Sequence, residues 1–265
     1  MNLIPKKSLG QNFLIDKKIL NIIGDLGKIN SNDIVLEIGP GTGNLTEKIL
    51  EKKPLKLITI EKDKNLIKDL KKKFNNNVEI INDDILNYNL DIFYNKKIII
   101  FGNLPYNIST KILTSWIKVK NLKNFCKRFI LMFQKEVADR ILADCNSKNY
   151  GRLSIICSWK LNTKKIIDID PNSFYPIPKI KSSLLILEPK SNYFELENPK
   201  NLEHITNVFF NQKRKMIKKP LKILFKNYEK VANELSLDLN LRPQNLTNLT
   251  YYKICSYYEK LKLLK

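Results

Sequence analysis

The sequence predicts an α/β domain, built on a mostly parallel sheet with helices on both faces, followed by a small all-α domain. Through the first two thirds of the chain, short apolar runs alternate with helix-like stretches, which is typical of a parallel sheet covered on both sides. Residues 189–200 (PKSNYFELENPK) then carry turn formers and indicate a linker. Beyond the linker, apolar residues recur at helical spacing and no strand run is found. We therefore predict two domains, over residues 1–190 and 200–265.

The individual elements follow from these patterns. The candidate strands are residues 34–38, 57–61, 78–81, 98–102, 129–133, 153–159 and 183–188. Helix-like stretches separate most of them, for example at residues 46–51, 65–74 and 135–143. In the C-terminal part, Leu202, Ile205 and Phe209 share one helical face, and similar stripes cover residues 221–225 and 254–261.

The charge of the chain points to a polyanionic partner. There are 47 lysines and arginines against 26 acidic residues, which gives a formal net charge of +21. A charge of this size favours nucleic acid or anionic surfaces. Only five of the basic residues are arginines, so codon bias in an AT-rich genome is a second source of lysine. Such bias explains lysine over arginine better than base over acid, and we expect a nucleic-acid partner.

Several classes of function are excluded by composition. The single histidine, His204, leaves no basis for histidine acid–base or Ser-His-Asp chemistry, and the four cysteines form no C-x-x-C pair, so we predict no metal. No apolar run approaches the roughly 20 residues of a membrane span. The first residues show no signal peptide. We expect a cytoplasmic protein with no membrane partner.

A glycine loop follows the first candidate strand. In VLEIGPGTGNLT, residues 35–46, the strand leads through Gly39, Gly41 and Gly43 into a helix. Glycine lets a ligand approach the backbone and the helix N-terminus. The third glycine of an NAD-type G-x-G-x-x-G pattern would fall at Asn44 or Thr46, so that fingerprint fails. The loop predicts a site for another small molecule, against the alternative of an ordinary turn.

Acidic residues end the next two candidate strands. Glu61 lies about 20 residues beyond the glycine loop, where a carboxylate can bind both hydroxyls of a ribose. Asp83 and Asp84 end the third strand, where an acid can accept a hydrogen bond from an adenine amino group. Their adjacency leaves open which of the two does so.

The segment GNLPYN, residues 102–107, follows the fourth strand and carries the most specific signal. An amino group on an aromatic base is a poor nucleophile, because its lone pair is delocalised into the ring. Two acceptors can hold its N–H bonds and favour a tetrahedral nitrogen: the side-chain carbonyl of Asn103 and the backbone carbonyl of Leu104. Pro105 stiffens the loop, and Tyr106 offers a flat face on which a base can stack.

These motifs resemble those of a known family. The N-[DSLP]-P-[YFW] pattern with this glycine loop is similar to the class I adenine N6 methyltransferases. The opening KKSLGQNFLID, then IGPGTGNLT, GNLPYNIST, FQKEVADRI, YGRLSI and FYPIPKIKSSL resemble, in this order, the small-subunit ribosomal RNA adenine dimethyltransferases. FFNQKRKMIKKPLK and LRPQNLTNLTYYKI resemble the family's α-helical C-terminal domain. The resemblance implies a Rossmann-like seven-stranded sheet and an S-adenosylmethionine-dependent enzyme.

The resemblance also implies roles for single residues. In the family the Q-N-F-L segment closes over the methyl donor, the glycine loop lies under its methionine part, and acids bind its ribose and adenine. The implied cofactor-binding residues here are Asn12, Leu14, Gly39, Gly41, Gly43, Glu61, Asp84 and Asn103. The implied catalytic residues are Asn103, Leu104, Pro105, Tyr106 and Phe174, with Phe174 stacking on the flipped base opposite Tyr106. Phosphate contacts are implied for Lys179, Lys213, Arg214, Lys215, Lys218 and Lys219.

The implied reaction is transfer of methyl groups to two adjacent adenosines in a hairpin loop near the 3′ end of 16S rRNA, by a monomer with a role in small-subunit assembly. Two departures from the family pattern stand out. Ile85 follows Asp84 where alanine is frequent, and Pro220 lies where a helix is expected to continue and should kink or end it. The alternatives are a large-subunit rRNA adenine methyltransferase of the antibiotic-resistance type and a non-catalytic assembly or transcription factor.

Overall fold

Seven strands form one central sheet in the structure, a computed structural model that describes residues 5–6 and 9–263. The strands of the protein are β1 (Phe13–Leu14), β2 (Ile34–Ile38), β3 (Lys56–Glu61), β4 (Glu79–Asn82), β5 (Ile98–Asn103), β6 (Cys126–Gln134), β7 (Leu161–Ile169), β8 (Phe174–Tyr175) and β9 (Ser182–Pro189). The order across the large sheet is β4-β3-β2-β5-β6-β9-β7. The pairs from β4 to β6 are parallel and β9 pairs antiparallel with β6, which confirms the predicted mostly parallel sheet.

Eleven α-helices of the described residues connect or follow these strands. They are α1 (Lys17–Leu26), α2 (Asn44–Leu50), α3 (Lys64–Phe74), α4 (Ser109–Ile117), α5 (Leu122–Phe125), α6 (Lys135–Leu142), α7 (Arg152–Lys160), α8 (Pro199–Phe210), α9 (Lys218–Leu224), α10 (Tyr228–Glu234) and α11 (Asn248–Leu263). Short 3-10 turns cover Asn75–Asn77, Leu90–Phe93, Pro171–Ser173 and Pro243–Asn245. None of these helices combines the length and the apolar character that crossing a membrane requires.

The central strands bury both of their faces. In β5 every residue from Ile98 to Phe101 is at most 1% exposed. Because side chains alternate along a strand, one face of the sheet packs Val35 and Phe101 against α1, α2 and α3. On the opposite face Trp116 of α4 stacks on Phe129, with ring centroids 5.4 Å apart. Strands buried on two faces read as continuous apolar runs, which is why the sequence shows them clearly.

The chain divides into two compact units, and both are discontinuous in sequence. The first comprises Met1–Ala138 and Asn162–Pro189, and so contains the sheet. The second comprises Asp139–Leu161 and Lys190–Lys265, so that α7 belongs with the C-terminal helices. The division into functional domains at residues 1–190 and 200–265 stays a prediction.

Buried polar anchors hold the second unit together. The hydroxyl of Tyr150, which is fully buried, donates to the carbonyl of Leu246 and to Oδ1 of Asn248, at 3.0 and 2.7 Å. The carboxylate of Glu259 in α11 is also buried and accepts the backbone N–H groups of residues 197 and 198 just before α8, each at 2.9 Å. These bonds satisfy polar groups that would destabilise the unit if they were left unpaired.

Two sequence-based expectations require correction. The predicted strand at residues 153–159 is wrong, because this segment is helix α7, which is buried on all sides and therefore has no apolar stripe. The strand that completes the sheet is β7, a partly exposed edge strand rich in polar residues. Pro220 was expected to kink or end a continuing helix; instead α8 ends at Phe210 and Pro220 lies in the first turn of α9, where a missing N–H costs no helical hydrogen bond.

Candidate active site

A cavity lies at the carboxyl ends of β2, β3, β4 and β5, the edge where parallel sheets bind ligands. Five segments line it: residues 9–14, the glycine loop, the end of β3, residues 83–86 after β4, and residues 103–108 after β5. All of these segments belong to the first compact unit. The topology therefore brings together segments from distant parts of the sequence, such as residues 9–14 and residues 103–108.

The three glycines of the loop have different surroundings. All of them have positive φ angles, of 66° at Gly39, 58° at Gly41 and 79° at Gly43. Gly39 and Gly41 line the cavity, and a Cβ on Gly41 would lie 2.7 Å from the ring of Phe13. Gly43 does not line it: this residue is the N-cap of α2, and a Cβ there would lie 2.6 Å from Phe74. Gly43 thus serves helix packing, whereas Gly39 and Gly41 shape the cavity wall.

Glu61 lines the cavity at the end of β3 and is 7% exposed. Its Oε1 accepts the backbone N–H of Asp63 at 2.8 Å, and its Oε2 accepts that of Gly41 at 3.3 Å. Burial raises the pKa of Glu61, and these two N–H donors oppose the rise. Each carboxylate oxygen keeps a second lone pair, so the side chain can still accept two hydroxyl groups.

Asp83 and Asp84 both line the cavity after β4. Asp84 is partly buried, and its carboxylate accepts from Lys62 Nζ at 2.8 Å and from the backbone N–H of Leu86 at 3.0 Å. The Lys62 ammonium holds the pKa of Asp84 below its usual range. Ile85 is 9% exposed and also lines the cavity, where it forms an apolar wall beside the two acids.

Asn103 is the last residue of β5, and a bond to the chain's N-terminal segment fixes its amide. Its Nδ2 donates to the backbone carbonyl of Asn12 at 2.7 Å. Since a carbonyl only accepts, this partner settles which end of the amide is the nitrogen. Asn103 lines the cavity, and among the described residues no donor contacts its Oδ1, which is therefore left as an acceptor.

Tyr106 is held by its hydroxyl. It lines the cavity next to Leu104 and Pro105, and its Oη lies 2.5 Å from Oγ of Ser182, a fully buried residue at the start of β9. Burial raises the pKa of the Tyr106 hydroxyl. The ring is thereby fixed at its far end rather than free to rotate in the cavity.

Residues 3–262 match a family model described as ribosomal RNA adenine dimethylase. The chain belongs to this family. It is 55% identical over 257 residues to a protein of Pelagibacter ubique (strain HTCC1062) named ribosomal RNA small subunit methyltransferase A, covering 97% of this chain and 98% of that protein. A protein of Prochlorococcus marinus (strain AS9601) with the same name is 40% identical over 267 residues, with 97% of each chain covered.

Solved structures agree with the family assignment. A dimethyladenosine transferase from Plasmodium falciparum matches with a TM-score of 0.78 and 30% identity, over 94% of this chain and 98% of that one. The 23S rRNA methyltransferase ErmE matches with a TM-score of 0.68 and 20% identity, over 94% and 99% of the two chains, and shows the shared fold. The predicted resemblance, the class I methyltransferase fold and the assignment as an enzyme of this family are confirmed.

Phe174 is not placed as the family resemblance implied. It is 1% exposed and packs in the core, because β8 pairs with β1 in a register that sets Phe174 opposite Leu14. It does not line the cavity, so the ring is not available to stack on a base in this structure. The next residue, Tyr175, faces solvent and is 53% exposed. Alternation along the strand buries one of two adjacent aromatic rings, and the sequence does not show which.

The six residues for which RNA contacts were implied differ in how exposed they are to solvent. Lys179, Arg214, Lys215, Lys218 and Lys219 are exposed. Lys213 is partly buried, and its Nζ donates to the backbone carbonyls of Lys148 and Tyr150 at 3.1 and 3.4 Å. Lys213 thus fastens a loop of the second unit, and phosphate contacts stay a prediction for all six residues.

Two acids in or near the cavity, Glu37 and Asp63, were not predicted from the sequence. Glu37 of β2 lines the cavity and accepts from Oγ1 of Thr46 at 2.7 Å, and burial raises the pKa of Glu37 to about 8. A charged residue inside an apolar strand was the available signal. Asp63 is the N-cap of α3, and its carboxylate accepts hydrogen bonds from Lys6 and Gln11. The sequence around Asp63 indicates a helix cap and gives no sign of these two contacts. Within the described residues no group of three or more His, Cys, Asp or Glu side chains is placed to hold a metal ion.

Proposed function

We propose that the protein transfers methyl groups from S-adenosylmethionine to the N6 amino groups of two adjacent adenosines in a hairpin loop near the 3′ end of 16S rRNA. The product is N6,N6-dimethyladenosine, formed by a monomer in the cytoplasm during small-subunit assembly. The observation that carries the proposal is Asn103, whose amide nitrogen is committed to Asn12 so that its oxygen is left as an acceptor at the cavity. The names of the relatives, small subunit methyltransferase A, support the choice of subunit.

The cavity residues fit the methyl donor. Glu61 is a buried carboxylate with two acceptor positions left, which suits a ribose diol. Gly39 has no side chain where the methionine part would approach the backbone, and Gly41 leaves room for the Phe13 ring that packs against the loop. Asp83, Asp84 and Ile85 combine acceptors with an apolar wall, which suits an adenine ring and its amino group. The donor, when bound, supplies an electrophilic methyl group on a sulfonium.

The protein's own part in the reaction is alignment. Oδ1 of Asn103 and the backbone carbonyl of Leu104 accept the two N–H bonds of the target amino group and favour the tetrahedral nitrogen over the planar one. These acceptors act most strongly as the nitrogen changes geometry, so they lower the barrier rather than tighten ground-state binding. Each transfer forms an N–C bond, breaks the bond between the methyl group and sulfur, and releases one proton from the nitrogen to solvent. After the first transfer one N–H therefore remains, and one of the two acceptor positions has to accommodate a methyl group.

The target base has to leave its stack to reach these acceptors. Unstacking costs a few kcal/mol and costs less in a loop than in a duplex. Tyr106 offsets part of this cost by stacking on the base, and the Ser182 contact holds the ring in place for it.

Mass spectrometry of rRNA is the first test. Cells that lack the protein should lose N6,N6-dimethyladenosine from 16S rRNA, and the wild-type gene should restore it. Loss of a methylated adenosine from 23S rRNA instead would identify the large-subunit activity, and unchanged modification of both rRNAs would indicate a non-catalytic factor.

The second test is single-turnover methylation of undermethylated small subunits by Asn103→Ala. We expect the methyl-transfer rate to fall by at least about 10²-fold, by analogy with the loss of one preorganised hydrogen-bond partner in other enzymes. RNA binding should change little. Asn87→Ala, at an exposed position outside the cavity lining, is the matched control. A near-wild-type rate for Asn103→Ala would mean that the segment is a structural turn.

The third test concerns RNA binding by the exposed basic residues. Binding to small subunits should weaken steeply with salt, because each neutralised phosphate releases counterions. Replacing Arg214, Lys215 and Lys219 together by Ala should lower the slope of log K against log salt by about 2–3, since each phosphate contact contributes about 0.9 for a duplex. The control removes the same charge from exposed positions of α3, with Lys68, Lys71 and Lys72 replaced by Ala. Equal slopes for the two triple variants would refute this binding surface.

A further inference from the structure

Asp63 ties the N-terminal segment to the cofactor edge of the sheet through two side chains. Lys6 Nζ donates to Asp63 Oδ1 at 2.6 Å, and Gln11 Nε2 donates to Asp63 Oδ2 at 2.9 Å. The backbone N–H of Lys6 also donates to Oε1 of Gln11 at 2.7 Å, so the three residues close a ring of hydrogen bonds. The Asp63 side chain is 3% exposed whereas that of Lys6 is 41% exposed, so the acid is the buried centre of the contact.

The same acid also holds the residue proposed to bind the ribose. The backbone N–H of Asp63 donates to Oε1 of Glu61, and the Asp63 Oδ1 accepts the backbone N–H of Asn65 as the N-cap of α3. Asp63 therefore binds Glu61 through its backbone N–H, and binds the N-terminal segment through its carboxylate. A buried carboxylate with this many partners differs from an exposed ion pair, which contributes little.

The segment that Asp63 fastens continues directly to the catalytic amide. Gln11 is followed by Asn12, whose backbone carbonyl accepts Nδ2 of Asn103. Two residues later the carbonyl of Leu14 accepts Nδ2 of Asn44, the first residue of α2, at 2.9 Å. If this segment moved away from the cavity, the Asn103 amide would lose its hydrogen bond to the Asn12 carbonyl, which orients its oxygen. A continuous set of contacts thus joins Asp63, Gln11, Asn12 and Asn103.

We propose that Asp63 is a positioning residue that, through Lys6 and Gln11, holds residues 9–12 at the methyl-donor site and thereby sets the orientation of Asn103. This inference rests on the proposed function, because it assigns a role to contacts around that same site. Binding of the methyl donor and orientation of the Asn103 amide then both depend on the contact between Asp63 and the N-terminal segment. Release of the segment weakens both.

The experiment uses Gln11→Ala and Lys6→Met in the full-length protein, with Lys17→Met, an exposed lysine of α1, as the matched control. Both variants should weaken binding of S-adenosylmethionine by about 5–10-fold in calorimetry. Gln11→Ala should slow single-turnover methylation by about 10-fold, which corresponds to about 1.4 kcal/mol of lost orientation. Far-UV circular dichroism should show that both variants remain folded, and Lys17→Met should match the wild type in every measurement.

A double-mutant cycle separates positioning from a general structural effect. In the Asn103→Ala background, Gln11→Ala should still weaken donor binding but should no longer slow methyl transfer. If it slows transfer equally in both backgrounds, the segment does not act through Asn103 and the inference is overturned. Wild-type donor affinity in both Gln11→Ala and Lys6→Met also overturns it, provided Glu61→Ala does weaken binding. If Glu61→Ala is silent as well, the proposed donor site is wrong, and the inference falls with it.

Discussion

Removing the hydroxyl of Tyr106 should destabilise the first unit, although stacking on a base needs only the ring. In the structure this hydroxyl is the partner of Ser182 Oγ, at 2.5 Å, and Ser182 is 0% exposed. Tyr106→Phe therefore leaves a buried hydroxyl with no other hydrogen-bond partner among the described residues. Stacking on a base would not be affected by this substitution, whereas the contact with Ser182 predicts a loss of stability.

The magnitude follows from the burial of Ser182. An unsatisfied buried hydroxyl costs about 1–3 kcal/mol. Ser182→Ala should cost less, about 0.5–1.5 kcal/mol, since Tyr106 is only half-buried and its hydroxyl keeps some access to water. The double variant removes both polar groups, so it should be more stable than Tyr106→Phe alone. The coupling free energy between the two positions should reach about 1 kcal/mol.

Urea unfolding followed by Trp116 fluorescence is the assay. Trp116 packs in the first unit, and replacing Trp159 by Phe in all variants makes it the only tryptophan of the chain. Single-turnover methylation should show a parallel loss for Tyr106→Phe, because the ring is no longer held at its far end. Additive effects of Tyr106→Phe and Ser182→Ala on the unfolding free energy would show that the two hydroxyl groups do not depend on each other.

Other substitutions test further parts of the structure. Burial raises the pKa of Glu37 from 4.5 to about 8, so between these pH values the folded state holds a proton that the unfolded state releases. The unfolding free energy should therefore fall as pH rises through this range, by at most about 5 kcal/mol. Glu37→Gln should remove this part of the pH dependence. Gly43→Ala should destabilise by about 2–5 kcal/mol in urea melts, because its φ is positive and its Cβ has no room, whereas Gly24→Ala inside α1 should be tolerated. Lys213→Met should lower the unfolding free energy of the second unit by about 1 kcal/mol, because it removes donors from two carbonyls, and exposed Lys215→Met should not.

The sequence predicted those parts of the fold that depend on local pattern. The buried strands β2, β3 and β5 are continuous apolar runs, and they end at the glycine loop, at Glu61 and at Asn103. Because the carboxyl ends of parallel strands share one edge, these residues could be placed together without a structure. The two elements that were predicted wrongly, α7 and β7, lack the local pattern that is typical of their structure. Helix α7 is buried on every side and so carries no helical stripe, and the edge strand β7 is too polar to be recognised as a strand.

Contacts between distant segments were beyond reach of the sequence. The bond from Lys6 to Asp63 joins residues 57 positions apart, and that from Asn103 to Asn12 spans 91 positions. No spacing rule predicts such pairs. The choice between Phe174 and Tyr175 depends on the register of a two-residue strand, and a shift of one residue would exchange the buried ring for the exposed one.

The pairing of β1 with β8 also sets a time at which the site can form during synthesis. Phe13 lies opposite Tyr175, so the strand that follows the Gln11 and Asn12 contacts gains its partner only after the ribosome has made the chain beyond residue 175. At about 5–20 residues per second, the N-terminal segment waits roughly 10–30 s for that partner. A nascent chain that already has β2 to β6 can form much of the parallel sheet, but the β1–β8 pairing beside the cavity is still missing. An enzyme that acts on ribosomal RNA is in this way left incomplete for most of its own translation.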